Sequence, residues 1–600
     1  MKIRAPNSPT VAPNGALYVR DWPDGVNQLY RREAGSDLTT PMRRLTNFED
    51  GLNAYTLSPD GKHIILAAAA GGSEQDDLHH LNPSTGEITP LFTNQNVVYT
   101  FQVWLHDSSG FIFTANEESR SDFHIYRYDF ATQERTKLLD RPGFWTASDI
   151  TRDGNRLLVG QYISASHADA YELNVANGNL TTLNMADETY NAAAGYLQNE
   201  QSAAIISDVE EGIRRLFVRD LPIVRSLHRE EGKPYKPRAL TSLEAYEVES
   251  WTSNHSRNYV AITVNEDGYS TLHVYMMPGF KPVELPEIER GLVGSVSFED
   301  VRLVWTLNNA RTPGLAYKWT VGGSKPPTQL TTADDQGIDL RAFSLPKLIR
   351  YSSFDGLEVP AFLYTPPGYR EGTAIPFVAN YHGGPESQFR PVFSALIQYL
   401  LANGFGVIQP NVRGSTGYGR EFHMMDNYRK RWDSVRDGAE AARWLVRNGY
   451  AEPGRIAAYG GSYGGFMSVA TIIEAPDVFG ASINVVGIVN FKTFLEQTRD
   501  YRRALREAEY GPLSDPDFLE SISPIHRIDE IKVPMLIAHG LNDPRVPVGE
   551  AMQLAVGLQK RGYDPELLFF PDEGHGFAKL ENRLLFAERM TKFLRRHIAN

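Results

Sequence analysis

Short apolar stretches and polar turns alternate along the first half of the chain in one recurring order. An apolar strand is followed by a polar turn, and the turn is followed by a second apolar strand. The clearest turns are Pro13-Asn14-Gly15, Pro59-Asp60-Gly61, Ser108-Ser109-Gly110 and Arg152-Asp153-Gly154. Their glycines are 46, 49 and 44 residues apart, which is close to the period of β-propeller blades.

Three looser copies of this pattern follow further along the chain. Their turns are Gln198-Asn199-Glu200, Asn254-His255-Ser256 and Glu299-Asp300. Seven copies in all predict a seven-bladed β-propeller. Closing such sheets into a ring also protects their edge strands from pairing with other chains.

The pattern changes near residue 332, where the repeats stop. Since 600 residues exceed what one hydrophobic core usually holds, at least two domains are expected. We predict a propeller domain over residues 1–338 and a catalytic domain over residues 339–600. The apolar run at 359–364 is predicted to open the sheet of the second domain.

A serine in the second domain lies in the setting of a nucleophile elbow. Ser462 stands in GGSYGG at residues 460–465, between an apolar run and the helix-like stretch 466–475. In such an elbow the serine occupies a strained turn, where side chains at Gly460 and Gly464 would collide with neighbouring backbone. This context predicts an α/β-hydrolase domain with Ser462 as its nucleophile.

A serine hydroxyl needs a base, and the base needs a carboxylate that holds it in one tautomer. His575 follows the apolar run 567–570 and is flanked by glycines, so a strand end can deliver it to the active edge of the sheet. Asp543 lies in the turn after another apolar run, between the other two residues. We therefore predict a triad of Ser462, Asp543 and His575.

The oxyanion of an acyl-transfer reaction needs two hydrogen-bond donors. The fold usually supplies the N–H after the nucleophile, here that of Tyr463, and one N–H from a loop after an early strand. That loop is predicted in HGGP at residues 382–385, where Gly384 is preferred over Gly383 as the donor.

Composition excludes several other chemistries. The chain has no cysteine, which excludes disulfides, thiolate metal sites and a cysteine nucleophile. A net charge of −13 argues against nucleic acid as a partner. The sequence shows no convincing metal-ligand spacing, no secretory signal and no spanning apolar run, so we expect a cytoplasmic enzyme without metal, cofactor or membrane partner. A homo-oligomer remains open.

The motifs together resemble the prolyl oligopeptidase family of serine peptidases. They are GGSYGG at 460–465, LNDPRVP at 541–547 and DEGHGF at 572–577, with NVRGSTGYG at 411–419 in support. In its HGGP loop the chain is most similar to the acylaminoacyl-peptidase group. The resemblance implies cleavage of short peptides, with the propeller limiting access to the active site.

The chain departs from some relatives at the oxyanion loop. Related oligopeptidases and dipeptidyl peptidases use a tyrosine hydroxyl where His382 stands, and Tyr381 is one position too early to replace it. A pair of backbone donors is therefore expected.

Three arginines are candidates for binding substrate. Arg545 follows Asp543 on the same loop, and Arg502 or Arg503 lies in the segment 499–506, where hydrolases carry cap insertions. Guanidinium groups suit such partners, so Arg545 would bind a substrate carboxylate or carbonyl, and Arg502 or Arg503 would bind a peptide carboxyl terminus and make the enzyme a carboxypeptidase-like exopeptidase. Structural salt bridges are the alternative role.

Two other functions remain open at this point. The same triad hydrolyses simple esters, so a carboxylesterase is the alternative to a peptidase. The other is a binding protein in which the hydrolase domain is inert. An oligopeptidase that cuts internal bonds is also compatible with the motifs.

Overall fold

The structure is a computed structural model that describes residues 2–221, 238–239, 246–498 and 500–599. In this part of the chain, seven four-stranded antiparallel sheets are each built from consecutive strands. The strands of the first four sheets are β1 (Asn7–Val11), β2 (Leu17–Asp21), β3 (Gln28–Arg32), β4 (Arg43–Arg44), β5 (Ala54–Leu57), β6 (Ile64–Ala68), β7 (Asp77–Leu81), β8 (Ile88–Phe92), β9 (Tyr99–Trp104), β10 (Gly110–Ala115), β11 (His124–Asp129), β12 (Arg135–Leu139), β13 (Phe144–Ile150), β14 (Arg156–Ser164), β15 (His167–Asn174) and β16 (Leu180–Thr182). Those of the last three sheets are β17 (Asn191–Tyr196), β18 (Ser202–Ser207), β19 (Arg215–Asp220), β20 (Arg238–Ala239), β21 (Glu247–Ser253), β22 (Tyr259–Glu266), β23 (Tyr269–Met276), β24 (Lys281–Val283), β25 (Leu292–Glu299), β26 (Arg302–Asn309), β27 (Thr312–Thr320) and β28 (Thr328–Gln329).

The seven sheets are the blades of a β-propeller, as the repeats predicted. Each repeated polar turn joins the first and second strands of its blade, as at Gly15 between β1 and β2. The first and last blades meet through buried side chains, among them Val19, Val304 and Ala316. The bridge between Arg4 and Asp334 adds a backbone contact at this closure.

The second domain contains one eight-stranded sheet in the order β29-β30-β32-β31-β33-β34-β35-β36. The strands β31 to β36 run parallel to one another, and β29 and β30 are antiparallel additions at one edge. Their bounds are β29 (Lys347–Ser352), β30 (Glu358–Tyr364), β31 (Phe377–Tyr381), β32 (Gly406–Pro410), β33 (Ile456–Gly461), β34 (Phe479–Val485), β35 (Met535–Gly540) and β36 (Glu566–Phe570).

The prediction that residues 359–364 open this sheet is wrong by one strand. The edge strand β29 comes first, and in it only Tyr351 is buried. Its mainly polar, half-exposed residues do not form the continuous apolar run that marks a central parallel strand.

Helices cover both faces of the hydrolase sheet. The α-helices that the structure describes are α1 (Ala395–Ala402), α2 (Gly419–His423), α3 (Arg431–Arg447), α4 (Tyr463–Glu474), α5 (Phe491–Gln497), α6 (Asp500–Tyr510), α7 (Pro516–Ser521), α8 (Gly549–Gln559) and α9 (Leu580–His597). One buried cluster packs α3, α4 and α8 on one face, and a second packs α1 and α9 on the other. Within the described residues, no helix combines the length and apolar character needed to span a membrane.

The two domains meet along an extensive polar interface. Asn265 of the propeller donates to Gln388 at 2.7 Å, and Arg390 pairs with Glu249 at 2.5 Å. The last propeller strand ends at Gln329 and the hydrolase sheet begins at Lys347. The boundary predicted between residues 338 and 339 falls in the stretch between them and stays a prediction.

Candidate active site

Ser462 lies in a strained turn between β33 and α4. Its backbone has φ 61° and ψ −121°, a conformation that non-glycine residues seldom adopt and that costs about 1–3 kcal/mol. The glycines around it are required, because a Cβ at Gly460 would lie 2.2 Å from the Gly464 carbonyl oxygen. A Cβ at Gly464 would lie 2.1 Å from the carbonyl oxygen of Tyr381. The local geometry is that of a nucleophile elbow.

Asp543 and His575 form a hydrogen-bonded pair. His575 Nδ1 lies 2.7 Å from Asp543 Oδ2, and the Asp543 side chain has no exposed surface. The other carboxylate oxygen, Oδ1, accepts the N–H groups of Arg545 at 2.8 Å and Val546 at 2.9 Å. These bonds fix the carboxylate, which in turn holds the imidazole with its proton on Nδ1 and leaves Nε2 free to act as a base.

The three predicted triad residues follow β33, β35 and β36, whose carboxyl ends share one edge of the sheet. Three steps of the strand spacing separate β33 from β36, or roughly 14 Å. The histidine must therefore reach back across β34 and β35 to meet the serine. Among the described residues no hydrogen bond joins Ser462 Oγ to His575, and such contacts often tighten only when substrate binds.

Three backbone N–H groups near the serine are available for an oxyanion. The N–H groups of Tyr463, Gly383 and Gly384 donate to no other residue that the structure describes. Tyr463 begins α4, where the helix dipole favours negative charge. A Cβ at Gly383 would lie 3.3 Å from Ser462 Cβ, so the HGGP loop passes directly beside the nucleophile.

His382 shapes this loop rather than acting as a second base. Its Nδ1 lies 2.9 Å from the Gly383 carbonyl oxygen, and its Nε2 lies 2.8 Å from Ser415 Oγ. Burial lowers the pKa of His382 to about 4, so the ring is neutral at neutral pH. Since a carbonyl only accepts, the proton is assigned to Nδ1. The bond to Gly383 then fixes the peptide plane that carries the N–H of Gly384.

Two of the three predicted substrate-binding arginines pair with the propeller. Arg545 Nε lies 2.7 Å from Glu74 Oε2, and Arg502 pairs with the same carboxylate at 3.1 Å. Arg503 lies on α6, and Arg499, the start of the predicted segment, lies outside the described residues. The structure therefore gives Arg545 and Arg502 an interdomain ion pair, while their role toward substrate stays a prediction.

Sequence reasoning missed Arg506 and Tyr510, which contact the oxyanion loop directly. Both donate to the carbonyl oxygen of Gly384, Arg506 at 3.2 Å and Tyr510 at 3.3 Å. Arg506 lies one turn after Arg502 on the same face of α6, and this helical spacing is the signal that could have identified it as a further candidate. Nothing in the sequence indicated which arginine of this helix faces the loop.

One group of possible metal ligands occurs in the described part of the propeller. Glu118, His124 and Asp140 place ligand atoms within 4.8 Å of one another. The Lys137 ammonium lies 2.8 Å from Glu118 and 3.3 Å from Asp140. The Lys137 ammonium thus offsets part of the charge of the two carboxylates.

Comparison with known proteins places these features in a family. The profile of the prolyl oligopeptidase family matches residues 391–600, and that of the prolyl oligopeptidase N-terminal β-propeller domain matches residues 50–323. Dipeptidyl aminopeptidase BIII of Pseudoxanthomonas mexicana is 26% identical over 594 residues, or 88% of this chain and 84% of that protein. The acylamino-acid-releasing enzyme of Sus scrofa is 28% identical over 254 residues, or 41% of this chain and 35% of that protein.

Solved structures share the whole architecture. One from a study of two prolyl endopeptidases has a TM-score of 0.85 at 20% identity, covering 100% of this chain and 90% of that chain. A puromycin-hydrolyzing peptidase of Mycobacterium tuberculosis has a TM-score of 0.82 at 22% identity, covering 100% of this chain and 95% of that chain. At these identities the likeness shows the fold.

A propeller joined to an α/β-hydrolase domain with a serine at its elbow defines a class of two-domain serine hydrolases. The two profiles together cover most of the chain. The chain belongs to the prolyl oligopeptidase family, and it is a serine peptidase.

Proposed function

We propose that this peptidase hydrolyses short peptides through a triad of Ser462, His575 and Asp543. The hydrogen bond between His575 Nδ1 and Asp543 Oδ2, at 2.7 Å, carries the proposal. It orients a base at the same sheet edge as a strained, glycine-flanked serine. Short peptides are the proposed substrates because the propeller loop with Gly72 and Glu74 contacts the histidine and aspartate loops at this edge and would keep folded proteins away.

The reaction proceeds through an acyl-enzyme. His575 Nε2 takes the Ser462 hydroxyl proton as Oγ attacks the substrate carbonyl carbon, and Asp543 stabilises the imidazolium. The C–N bond breaks when His575 gives this proton to the leaving amine. A water that His575 deprotonates then attacks the ester, and the proton returns to Ser462 Oγ as the acid leaves.

The oxyanion is bound by backbone donors in this scheme. Tyr463 N–H supplies one bond, and Gly384 N–H supplies the second, with Gly383 N–H as its neighbour. Their lack of other acceptors within the described residues supports this assignment. Removing one such donor typically costs about 10²–10³ in kcat.

We propose that cleavage occurs near the amino end of the peptide. Acylamino-acid-releasing enzymes and dipeptidyl aminopeptidases are both among the relatives, and the dipeptidyl aminopeptidase matches 88% of this chain. The carboxypeptidase alternative is less favoured, because Glu74 already occupies the guanidinium groups of Arg545 and Arg502. A substrate carboxylate would have to displace it.

Product analysis tests this proposal. A library of short peptides, with free or acetylated amino ends and free or amidated carboxyl ends, is digested and read by mass spectrometry beside Ser462→Ala. We expect release of acetylated amino acids or of amino-terminal dipeptides, with no effect of amidation. Ser462→Ala should release none of them.

Other product patterns would replace the proposal with a specific alternative. Loss of carboxyl-terminal residues that amidation blocks would indicate a carboxypeptidase, and internal cuts would indicate an oligopeptidase. Hydrolysis of p-nitrophenyl acetate with every peptide left intact would favour the carboxylesterase.

A further inference from the structure

A buried cluster of charges lies behind the proposed oxyanion donors, and the triad mechanism does not use it. Arg431 on α3 has no exposed side-chain surface, and it pairs with Asp426 and Glu509, which are 1% and 3% exposed. Its guanidinium also donates to the Glu509 backbone carbonyl at 2.9 Å. These three residues are named the Arg431 cluster below.

The Arg431 cluster holds the side chain of Tyr463 at its far end. Arg431 Nη1 donates to the Tyr463 hydroxyl at 3.1 Å, and Ser434 Oγ lies 2.8 Å from the same oxygen. The tyrosine ring is buried against Phe466. Because the Tyr463 N–H is the first amide of α4, anchoring this ring restrains the direction in which the amide points.

The same cluster reaches Gly384 through the end of α6. Arg431 binds both the backbone and the side chain of Glu509, and the next residue, Tyr510, donates its hydroxyl to the Gly384 carbonyl at 3.3 Å. Arg506 donates to that carbonyl at 3.2 Å and lies 3.5 Å from Glu386. The Gly384 carbonyl is therefore held by two donors from α6, in addition to the bond between His382 and the preceding carbonyl, that of Gly383.

We propose that the Arg431 cluster, acting with Arg506 and Tyr510, positions both oxyanion donors as one unit. It fixes Tyr463 through the tyrosine hydroxyl and Gly384 through its carbonyl. This proposal rests on the proposed function, because it assigns the supports of the proposed oxyanion hole. All of these side chains are positioning residues, since they act through the two amides and do not touch the reacting atoms.

Energetics support a positioning role over a purely stabilising one. Taking two carboxylates and a guanidinium out of water costs much of what their attraction returns, so such clusters contribute little net stability. Oxyanion donors, by contrast, must be held within about 0.5 Å of the productive geometry to be effective. The contacts of the Arg431 cluster lead to the two backbone segments where that tolerance applies.

Two single variants test the link to Gly384 without uncovering Arg431. Tyr510→Phe and Arg506→Met each remove one donor to the same carbonyl. The readouts are the kcat and KM of p-nitrophenyl acetate hydrolysis and the affinity of a peptidyl aldehyde. The aldehyde carbon bonds to Ser462 Oγ, and its oxygen becomes the oxyanion.

We expect each variant to lower kcat by about tenfold with little change in KM. The affinity for the aldehyde should fall by the same factor. The double variant should lose more than the product of the two single losses. In each single variant the carbonyl keeps one donor, whereas the double variant frees the Gly384–Pro385 peptide, which shares the Cα of Gly384 with the peptide that carries the proposed donor N–H.

Tyr369→Phe is the matched control, because it removes a surface hydroxyl that donates to the Thr373 carbonyl at 2.9 Å. It should retain the wild-type kcat and aldehyde affinity. The proposal is overturned if folded Tyr510→Phe and Arg506→Met both bind the aldehyde within about twofold of the wild type. The proposal also fails if the two variants weaken the binding of a non-reactive peptide as much as they weaken the binding of the aldehyde.

Discussion

The proposed oxyanion side of the active site is held from inside the hydrolase domain, whereas the side of the predicted base, His575, is held partly by the propeller. Tyr463 and Gly384 are tied to Arg431, Arg506 and Tyr510, all on helices of the hydrolase domain. The histidine loop instead lies against a propeller loop. A Cβ on Gly574 would lie 2.5 Å from the carbonyl oxygen of Gly72.

This difference separates two requirements of the reaction. The proposed nucleophile and oxyanion donors need fixed geometry, and we infer that the buried network around Arg431 supplies it. His575 must cross two strands to reach Ser462, and its loop is arranged by the Glu573 carboxylate, which accepts the N–H groups of Ala578 at 2.9 Å and Lys579 at 3.0 Å. We infer that a change in the relative position of the two domains would shift His575 more than it would shift the proposed oxyanion donors.

The largest effect is expected on the oxyanion side. Arg431→Met leaves Asp426 and Glu509 buried without a partner, which should lower the free energy of unfolding by about 3–5 kcal/mol. Urea denaturation of the full chain measures this loss. Arg436→Met on the same helix is the control, because its side chain is 45% exposed and its carboxylate partners Asp433 and Glu474 are partly exposed. Equal losses in the two variants would contradict the expectation that Asp426 and Glu509 depend on Arg431 as their buried partner.

Stability is also expected to depend on pH, through the Glu386 carboxyl near the proposed oxyanion loop. Burial, with the nearby Glu509 carboxylate, raises the pKa of Glu386 from 4.5 to about 7, against the opposing influence of Arg506 and Arg431. The folded protein therefore binds this proton more tightly than the unfolded chain does. The resulting stability is fully present below pH 4.5 and is lost as the pH rises through 7.

Glu386→Gln should remove this dependence. The pKa difference corresponds to about 3 kcal/mol at most. The free energy of unfolding of the wild type should fall by up to this amount between pH 4.5 and 7, and that of Glu386→Gln should not. Urea denaturation at several pH values measures it, and Glu371→Gln on the surface is the control. If wild type and Glu386→Gln show parallel pH profiles, the carboxyl is not the source.

The histidine side can be perturbed from the propeller. A Cβ on Gly72 would lie 2.8 Å from the Gly574 nitrogen, so Gly72→Ala should displace the histidine loop. A displacement of about 1 Å can cost up to roughly a hundredfold in kcat/KM. We expect a loss of about tenfold to a hundredfold, with aldehyde affinity less affected than in Tyr510→Phe.

Gly71→Ala provides a matched control for this variant. Gly71 also has a positive φ, of 63°, but a Cβ there would meet nothing within 4 Å. It carries the same backbone penalty without the interdomain clash. If Gly71→Ala and Gly72→Ala lose the same activity, contact with the propeller does not position the base.

The two sides also differ in how far the sequence predicts them. The elbow and the strand-end positions of Asp543 and His575 follow local rules of glycine placement and strand order, so these three positions could be predicted together, and their role as a triad stays a prediction. The Arg431 cluster could not be predicted, because Asp426, Arg431 and Glu509 meet only through the tertiary packing of separate segments. Likewise, the arginines of α6 look alike in the sequence, and packing alone turns Arg502 to Glu74 and Arg506 to Gly384.

The smallest effect is expected at the interdomain ion pairs of Glu74. Glu74→Gln keeps the shape of the side chain and removes the charge that pairs with Arg545 and Arg502. Partly exposed pairs of this kind contribute about 0–1 kcal/mol each, so stability should change little.

The sharper readout is the ratio of kcat/KM for peptides with free and amidated carboxyl ends. We expect this ratio to rise up to about fivefold, since the guanidinium groups become available to a substrate carboxylate. Glu33→Gln, which removes a surface pair with Arg31, is the control and should leave the ratio unchanged. A ratio well above one already in the wild type would mean that Glu74 does not block these arginines, and the carboxypeptidase alternative would then be favoured.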